Sequence, residues 1–308
     1  MTHFMLKEIH EQPDVIRRLL DRTISIPVRT VDRINILACG TSLHAGLIGQ
    51  FLFEQVAKIP TQVRSSSESL FAPMLETPNT LTIAITQSGE TADTIAALKT
   101  VQSKRIAITN GIDSTITKLV DQTIYTDAGE EKSAAATKTF TAQLVILYQL
   151  AFELAQKQLP ELHHIPQQIE AILKDNTIAQ VAKSLEDARN LIVIGSGINT
   201  AIALEGALKL KEATYTHAEG YAAGEFLHGP IALLDPQIPT IAIGNVRKTV
   251  DRIRANQNSV IETPTPAIPE LFTPFLTVIP LQLLAYELAI LRKIDVDRPR
   301  NITKSLTT

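Results

Sequence analysis

Three charged residues stand at helical spacing in an otherwise apolar stretch, Ile202 to His217. Glu205, Lys209 and Glu212 are four and then three positions apart, so a helix places them along one face. The other residues are mostly alanine, leucine and isoleucine, which predicts a helix buried on its remaining faces. Two interpretations are open. The stripe faces a reaction site, or it is a buried set of ion pairs without chemistry, which would be costly to desolvate.

Two turns of similar composition each follow an apolar run and open a helical pattern. They are ACGTS, Ala38 to Ser42, and TQSGET, Thr86 to Thr91. Backbone N–H groups at a helix start, the helix dipole and hydroxyl donors together suit a phosphate monoester without any lysine. The alternative is that Ser42 or Thr91 only caps its helix. Two such turns in one unit favour an anion site, at the carboxyl ends of parallel strands.

A third segment, HAEGYAAGEFLHGP, follows the charged stripe directly. Its glycines, Gly220 and Gly224, indicate a turn-rich loop. A metal site is disfavoured, because Glu-x-x-His ligand sets need two such motifs on helices and the two glycines make this segment a turn-rich loop. A histidine that carries protons near neutral pH is the favoured interpretation. The side chains considered as metal ligands are His217, Glu219, Glu225 and His228.

The elements that would position these residues alternate between short apolar runs and longer helical patterns. This alternation predicts an α/β fold with parallel sheets flanked by helices. The segment NLIVIGSGINTAIALEGALKLKE repeats the layout of INILACGTSLHAGLIGQFLFEQ roughly 155 residues later, so we expect two copies of one α/β unit. The predicted strands are INILACG, TLTIAIT, RIAIT, QTIYT, NLIVIG, PTIAIG and NSVIETP.

The predicted division of the chain has four parts. They are a helical lead (1–27), a first α/β domain (28–165), a second α/β domain (166–290) and an irregular tail (291–308). The second domain looks trimmed, because the segment between PTIAIG and NSVIETP leaves room for one crossover helix and no extra strand. The apolar run near the C-terminus is interrupted by prolines and polar residues, so we expect a core or subunit-interface helix beginning near Pro280, with no membrane span.

Composition excludes several classes of function. The net charge is −3 with no basic block, which argues against nucleic acid as the main partner. The single cysteine, Cys39, rules out an intrachain disulfide and a cysteine-rich zinc site. We expect Cys39 to be a small buried side chain and not a nucleophile. The N-terminus is too polar for a signal peptide, so we expect a cytoplasmic location.

Five segments in this order closely resemble the isomerase half of glucosamine-6-phosphate synthase: ACGTS, TQSGETADT, ALEGALKLKE, HAEGYAAGEFLHGP and DVDRPRNITKS. The resemblance runs from about Leu6 to the C-terminus. It implies two sugar isomerase (SIS) domains, each a parallel sheet flanked by helices, with an irregular C-terminal tail. It also implies a hexose 6-phosphate substrate and a homodimer with sites completed across subunits. We expect no metal or organic cofactor, because an imine would act as the electron sink.

The resemblance implies a role for each matching residue. Glu212 matches the carboxylate that moves a proton between C1 and C2, with Lys209 as its charged catalytic companion. His228 matches the ring-opening histidine, supplied by the neighbouring subunit, and Lys304 matches the tail lysine implicated in Schiff-base chemistry. The expected substrate-binding residues are Thr41, Ser42, Thr86, Gln87, Ser88, Thr91, Ala134, Ala136, Glu205 and Thr303.

Three departures from the family pattern shape the expected reaction. From the start MTHFMLKEIHEQP we expect no glutaminase domain. Thr86 and Ala136 stand where the pattern has serine, and Ala136 loses a hydroxyl. The second domain is trimmed. We therefore expect interconversion of glucosamine 6-phosphate and fructose 6-phosphate with free ammonia or a separate glutaminase chain, and deamination as the favoured direction. The alternatives are a non-catalytic sugar-phosphate sensor and a nitrogen-free aldose–ketose isomerase.

Overall fold

Short runs of aliphatic and β-branched residues build two parallel sheets in this computed structural model, which describes residues 3–26 and 30–304. Each sheet belongs to a separate compact unit. Of the described residues, the first-sheet unit comprises 11–26, 30–131, 138–166 and 303–304. The second-sheet unit comprises 3–10, 132–137 and 167–302. The predicted α/β class is confirmed.

The first sheet has five parallel strands in the order β2-β1-β3-β4-β5. The strands are β1 Arg33–Ala38, β2 Thr61–Ser65, β3 Thr80–Thr86, β4 Lys104–Thr109 and β5 Gln122–Tyr125. Ala38 pairs with Ile85 and Thr86 pairs with Thr109, so β1, β3 and β4 end at one edge of the sheet. This register brings the turns after β1 and β3 to adjacent positions along that edge.

Four of the five described helices in the first half of the chain lie where the helical patterns predict them, and the short helix with the sequence SSES was not predicted. Those that begin before residue 155 are α1 Phe4–Leu20, α2 Gly40–Leu52, α3 Ser66–Ser69, α4 Ala92–Lys99 and α5 Lys138–Leu154. A π-helical turn, Phe53–Ala57, extends α2. Helix α4 buries Ala97 and Leu98 against Leu37, Ala84 and Ala107 of the sheet. This packing fixes α4, and the turn before it, on the sheet.

The second sheet has four parallel strands in the order β7-β6-β8-β9. The strands are β6 Asn190–Gly195, β7 His217–Ala222, β8 Thr240–Ile243 and β9 Val260–Glu262. The helices are α6 Ile165–Leu173, α7 Thr177–Ser184, α8 Asn199–Thr214, α9 Ala223–Phe226, α10 Arg247–Ala255 and α11 Pro274–Leu291. One helix, α10, connects β8 to β9, as the short intervening segment predicts.

We predicted a turn-rich loop after α8. This prediction is wrong for the first half of the segment, because His217–Ala222 forms β7. Gly220 explains the misleading signal. A Cβ at this position would lie 2.7 Å from both the Ala203 carbonyl oxygen and the Leu204 Cα of α8. The glycine therefore marks a close approach of helix and strand and not a turn.

The C-terminal apolar helix also begins earlier than predicted, at Pro274 and not near Pro280. Proline fits the first turn of a helix, where its missing N–H would have no partner, and Pro280 lies inside the helix. Among the described residues this helix is long and apolar enough to cross a membrane, but 78% of it is buried within the protein. A core helix passes the same test of length and composition.

Candidate functional site

The turn after β1 presents the first residues of α2. Helix α2 begins at Gly40, which has a positive φ of 54°, and Cys39 precedes it without a side-chain capping bond. Ser42 lies in the first turn and is buried, whereas Thr41 is partly exposed. Cys39 is also partly exposed, which corrects the prediction of a buried side chain, because it lies in the open turn and not in the strand.

The turn after β3 has hydroxyls that do not cap the following helix. Thr91 is the N-cap residue of α4 but makes no side-chain capping bond, and its Oγ1 lies 2.8 Å from Oγ1 of Thr86. Ser42, three residues after Cys39, is not at the capping position either. The structure therefore does not support the interpretation that Ser42 and Thr91 serve only as caps.

Gly89 is the residue that gives this second turn its shape. It has a φ of 73°, and a Cβ there would lie 1.9 Å from Ser114 Oγ. Its N–H donates to Thr86 Oγ1 at 3.3 Å, and the N–H of Glu90 donates to Ser88 Oγ at 3.1 Å. Gln87, Ser88 and Thr91 remain partly exposed at the end of the sheet.

Glu90, the acidic residue of the same turn, has a structural role. Its carboxylate accepts the N–H of Thr115 at 2.7 Å, and hydrogen bonding from Thr115 lowers the pKa of Glu90. The bond ties the turn to the short 3₁₀ helix Thr115–Lys118. Because the Glu90 carboxylate is already hydrogen-bonded to Thr115, the groups left to bind an anionic ligand at this turn are hydroxyl and N–H groups.

The extended segment before α5 contains the two predicted alanine contacts. Ala134 and Ala136 are partly exposed, and the residues on either side of them are buried. Glu8, which is 2% exposed, accepts the N–H groups of Lys132 at 2.5 Å and Ser133 at 3.3 Å and so fixes the start of the segment. Because a methyl group has no donor, any polar contact from Ala134 or Ala136 would come from the backbone.

The charged stripe lies on α8, as predicted, and forms an ion-paired row. Lys209 Nζ lies 3.4 Å from Glu205 Oε1 and 2.5 Å from Glu212 Oε2. The side chains of Glu205 and Lys209 are 0% and 1% exposed, whereas that of Glu212 is 19% exposed. Burial therefore decreases along the stripe, and Glu212 is its only member accessible to a ligand.

The histidine-containing segment is split between β7 and the turn after α9. His217 is exposed, and Glu219 accepts a hydrogen bond from Tyr221, which raises the pKa of Tyr221 to about 12. His228 is exposed, and its ring makes no hydrogen bond with any residue that the structure describes. Within residues 3–26 and 30–304, no group of three or more His, Cys, Asp or Glu side chains lies where it could hold a metal ion.

The C-terminal tail is fixed at two points within the second-sheet unit. The carboxylate of Asp297 accepts the N–H groups of Phe4 at 2.8 Å and Met5 at 2.9 Å, at the start of α1. The guanidinium of Arg300 stacks on the ring of Tyr215 at 4.2 Å, and the N–H of Arg300 donates to the Tyr215 hydroxyl. Tyr215 directly follows α8, so the tail is attached to the end of the helix that carries the stripe.

Lys304 has a carboxylate partner that sequence analysis missed. Its Nζ lies 3.0 Å from Oε2 of Glu131, whose side chain is fully buried. Glu131 also accepts the N–H of Thr139 at 3.1 Å and the Oγ1–H of Thr139 at 2.7 Å. Thr303 is exposed. No spacing rule connects Glu131 with a lysine 173 positions away, so the sequence carried no signal for this pair.

The chain belongs to the sugar isomerase (SIS) family, whose domain profile matches more than half of its residues. The sequence profile described as the SIS domain matches residues 28–152 and 184–268. Within the family, the chain matches the isomerase half of glutamine–fructose-6-phosphate aminotransferase, as the resemblance of the five segments predicted.

Individual relatives show how far the similarity extends. The chain is 44% identical to the isomerizing glutamine–fructose-6-phosphate aminotransferase of Gloeobacter violaceus, over 99% of this chain and 58% of that protein. It is 32% identical to the C-terminal domain of glucosamine–fructose-6-phosphate aminotransferase from Francisella tularensis, with a TM-score of 0.87. This structural match covers 97% of our chain and 99% of the Francisella tularensis chain. Glucosamine-6-phosphate deaminase from Thermotoga maritima shares the fold, with 23% identity, a TM-score of 0.84 and coverage of 98% and 99% of the two chains.

The chain is shorter than its relatives inside the matched region. The alignment with the Gloeobacter violaceus protein extends over 356 positions against 308 residues here, so that protein has at least 48 residues without a counterpart in this chain. The second SIS match is also shorter than the first, and the second sheet has four described strands against five in the first. The shortening leaves α8, β7 and the tail in place.

Proposed function

We propose that the chain interconverts glucosamine 6-phosphate and fructose 6-phosphate, with nitrogen released or taken up as free ammonia. The observation that supports this most is the graded burial of the α8 stripe. Lys209 lies between two carboxylates, one fully buried and one, Glu212, partly exposed. A partly exposed carboxylate beside a buried ammonium is a suitable general base, because its proton can be exchanged with a bound sugar while its position stays fixed.

In the deamination direction, His228 opens the ring of glucosamine 6-phosphate to the free aldehyde. Glu212 then removes the proton from C2, and the carbonyl oxygen at C1 gains a proton, which gives a cis-enolamine. Return of a proton from Glu212 to C1 yields a primary alcohol at C1 and an imine at C2. The C1 carbonyl oxygen takes up the negative charge that develops when the C2 proton leaves. The steps move one hydrogen from C2 to C1 and need no external oxidant or reductant.

Ammonia leaves through the tail lysine. The neutral amine of Lys304 attacks C2 of the imine, the sugar nitrogen departs as ammonia, and a ketimine joins C2 to Lys304. Water then hydrolyses the ketimine to fructose 6-phosphate and regenerates the amine. Lys304 must lose a proton before it attacks, and Glu131, 3.0 Å from its Nζ, is the group within reach.

The phosphate is assigned to the turns after β1 and β3. Thr41, Ser42, Gln87, Ser88 and Thr91 offer hydroxyl and amide donors there, and neither Ser42 nor Thr91 uses its side chain as a helix cap. The first turns of α2 and α4 add backbone N–H groups. The remaining assigned contacts to the sugar are Thr86, Ala134, Ala136, Glu205 and Thr303.

The proposal includes an assembly and a nitrogen source. His228 is exposed and its ring makes no hydrogen bond with other described residues, which suits a residue that serves the active site of a neighbouring subunit in a homodimer. A separate glutaminase chain would be the alternative source of nitrogen in the synthetic direction. We place the protein in the cytoplasm, where its hexose 6-phosphate substrates would be found.

One assay separates this function from its alternatives. The purified protein is incubated with glucosamine 6-phosphate, and separately with fructose 6-phosphate and ammonium, and both sugars and ammonia are quantified. We expect fructose 6-phosphate and ammonia in equal amounts from the first reaction. Sugar-phosphate binding without turnover would indicate a sensor. A third incubation contains fructose 6-phosphate alone, and formation of glucose 6-phosphate there would indicate a nitrogen-free isomerase.

A further inference from the structure

Gln143 on α5 holds the hydroxyl of Ser42 in a fixed hydrogen-bonding role. Its amide Nε2 donates to Ser42 Oγ at 3.0 Å. Both side chains lie inside the first-sheet unit, where Gln143 is 1% exposed and Ser42 is 7% exposed. A buried bond of this kind is screened little by water, so it determines how the Ser42 hydroxyl can interact with anything else.

The direction of this bond decides where the Ser42 hydrogen points. An amide N–H can only donate, so the bond occupies a lone pair of the serine oxygen. No residue within the described part of the chain accepts the hydrogen of the Ser42 hydroxyl. The hydrogen is therefore not used within the described residues and remains available to a ligand at the turn where α2 begins.

The opposite orientation of the amide is less favourable. In the observed orientation, Gln143 Oε1 has no hydrogen-bond partner among the described residues. The observed orientation also leaves one hydrogen of Nε2 without a partner among the described residues. Rotation of the amide by half a turn would bring Oε1 to Ser42 and move both hydrogens of Nε2 to a position where the structure shows no partner for Gln143. Buried donors without a partner are rarer in proteins than buried acceptors that lack one, so the observed orientation is preferred.

We propose that Gln143 is a positioning residue that makes Ser42 an obligate hydrogen-bond donor, and so tunes the turn after β1 for a phosphate dianion. This inference rests on the proposed function, because it assumes that the turn binds the phosphate of a hexose 6-phosphate. A dianion has acceptors only and gains from a serine that donates. A hydroxyl free to rotate would lose part of this advantage.

The test replaces the amide donor of residue 143 with an acceptor while the shape of the side chain stays the same. In Gln143→Glu, the carboxylate accepts, so the Ser42 hydrogen turns inward and no longer faces the phosphate. We expect the Kd for glucosamine 6-phosphate to rise about tenfold to a hundredfold, the range for a hydrogen bond to a charged group. The kcat at saturating substrate should stay close to that of the parent. Gln158→Glu, the same change at an exposed position just beyond this helix, is the control and should leave the Kd unchanged.

A double-mutant cycle separates this effect from simple charge repulsion. If Gln143 acts through Ser42, Gln143→Glu should not weaken binding further in a Ser42→Ala background. Repulsion between the new carboxylate and the phosphate would persist in that background and would overturn the inference, as would an unchanged Kd in the single variant. If Gln143→Glu does not fold, the same double-mutant cycle is made with Gln143→Met, which removes the donor without adding a charge. It then tests whether the effect of Gln143 on binding depends on Ser42. A parent protein that binds no hexose 6-phosphate would overturn the proposed function itself.

Discussion

At the scale of single residues, the proposed chemistry depends on carboxylates whose surroundings differ. Glu205 and Glu131 are fully buried and paired with lysines, whereas Glu212 is paired and partly exposed. Glu205 has no access to a ligand and holds the ammonium of Lys209 in place. Glu131 holds the ammonium of Lys304 and is the proposed acceptor of its proton. Glu212 is accessible enough to exchange a proton with a ligand. The three glutamates are therefore assigned different tasks although their side chains are identical.

The Glu131–Lys304 pair gives the first prediction. In Glu131→Gln, the amide can still accept from Thr139, but it can neither hold the ammonium of Lys304 as an ion pair nor accept its proton. We expect turnover to fall about 100-fold, within the range for general acid–base catalysis. Borohydride trapping of fructose 6-phosphate on Lys304, followed by mass spectrometry, should fall in parallel.

The neighbouring and exposed Glu130 provides the control for this prediction. Glu130→Gln removes the same charge from the adjacent position and should trap substrate as the parent does. Equal trapping in Glu131→Gln and Glu130→Gln would show that the buried carboxylate does not prepare Lys304 for attack.

At the scale of secondary structure, the stripe depends on how closely α8 packs on β7. Gly220 allows this approach, because any Cβ there would meet backbone atoms of α8, which cannot move without shifting the helix. We predict that Gly220→Ala lowers the free energy of unfolding by about 1–3 kcal/mol, the usual cost of overpacking. Urea denaturation followed by circular dichroism measures this change.

Gly224 is the matched control on the following helix, α9. A Cβ at Gly224 would meet nothing within 4 Å, so Gly224→Ala should leave stability unchanged or raise it slightly. If the two alanine variants unfold at the same urea concentration, the contact between α8 and β7 is not as tight as described.

The elements show where sequence patterns succeed and where they fail. Strands β1, β3, β4 and β6 are buried apolar runs, and the sequence predicts all of them. Two strands escaped prediction, β2 with the sequence TQVRS and β7 with HAEGYA. Both lie at the edge of a sheet and are largely polar or glycine-containing, so their pairing depends on a neighbouring strand and not on local hydrophobicity.

The residues of the candidate site likewise fall into those that the sequence reveals and those that it does not. Its motif residues were identifiable, because turns and helical stripes are short-range patterns. The partners that orient them, Gln143 for Ser42 and Glu131 for Lys304, lie 101 and 173 positions away. Such pairs arise only when the chain is folded, and one sequence contains no periodicity that reveals them.

At the scale of the whole molecule, the proposed homodimer with shared active sites predicts complementation between inactive variants. Glu212→Gln retains His228, and His228→Ala retains Glu212. If His228 serves the neighbouring subunit, a mixed dimer contains one intact site. Co-expression of the two variants should then restore roughly a quarter of the parent activity, because about half of the dimers are mixed.

Each variant produced alone is the baseline for this experiment and should be nearly inactive. The mixed preparation is compared with the parent in the deamination assay, after size-exclusion chromatography has established the oligomeric state. Activity no higher than that of the separate variants would place His228 in the active site of its own chain.

The role of Glu212 as proton carrier is tested most directly at the bond between C2 of the substrate and its hydrogen. Glucosamine 6-phosphate deuterated at C2 is incubated with the parent, with Glu212→Gln and with the exposed control Glu153→Gln, and loss of the C2 deuterium is followed by NMR. We predict cleavage of this bond at the rate of fructose 6-phosphate formation in the parent and the control. In Glu212→Gln the rate should fall about 10²–10⁴-fold, with substrate binding retained. Cleavage at the parent rate in Glu212→Gln would contradict the assignment of Glu212 as the proton carrier between C1 and C2.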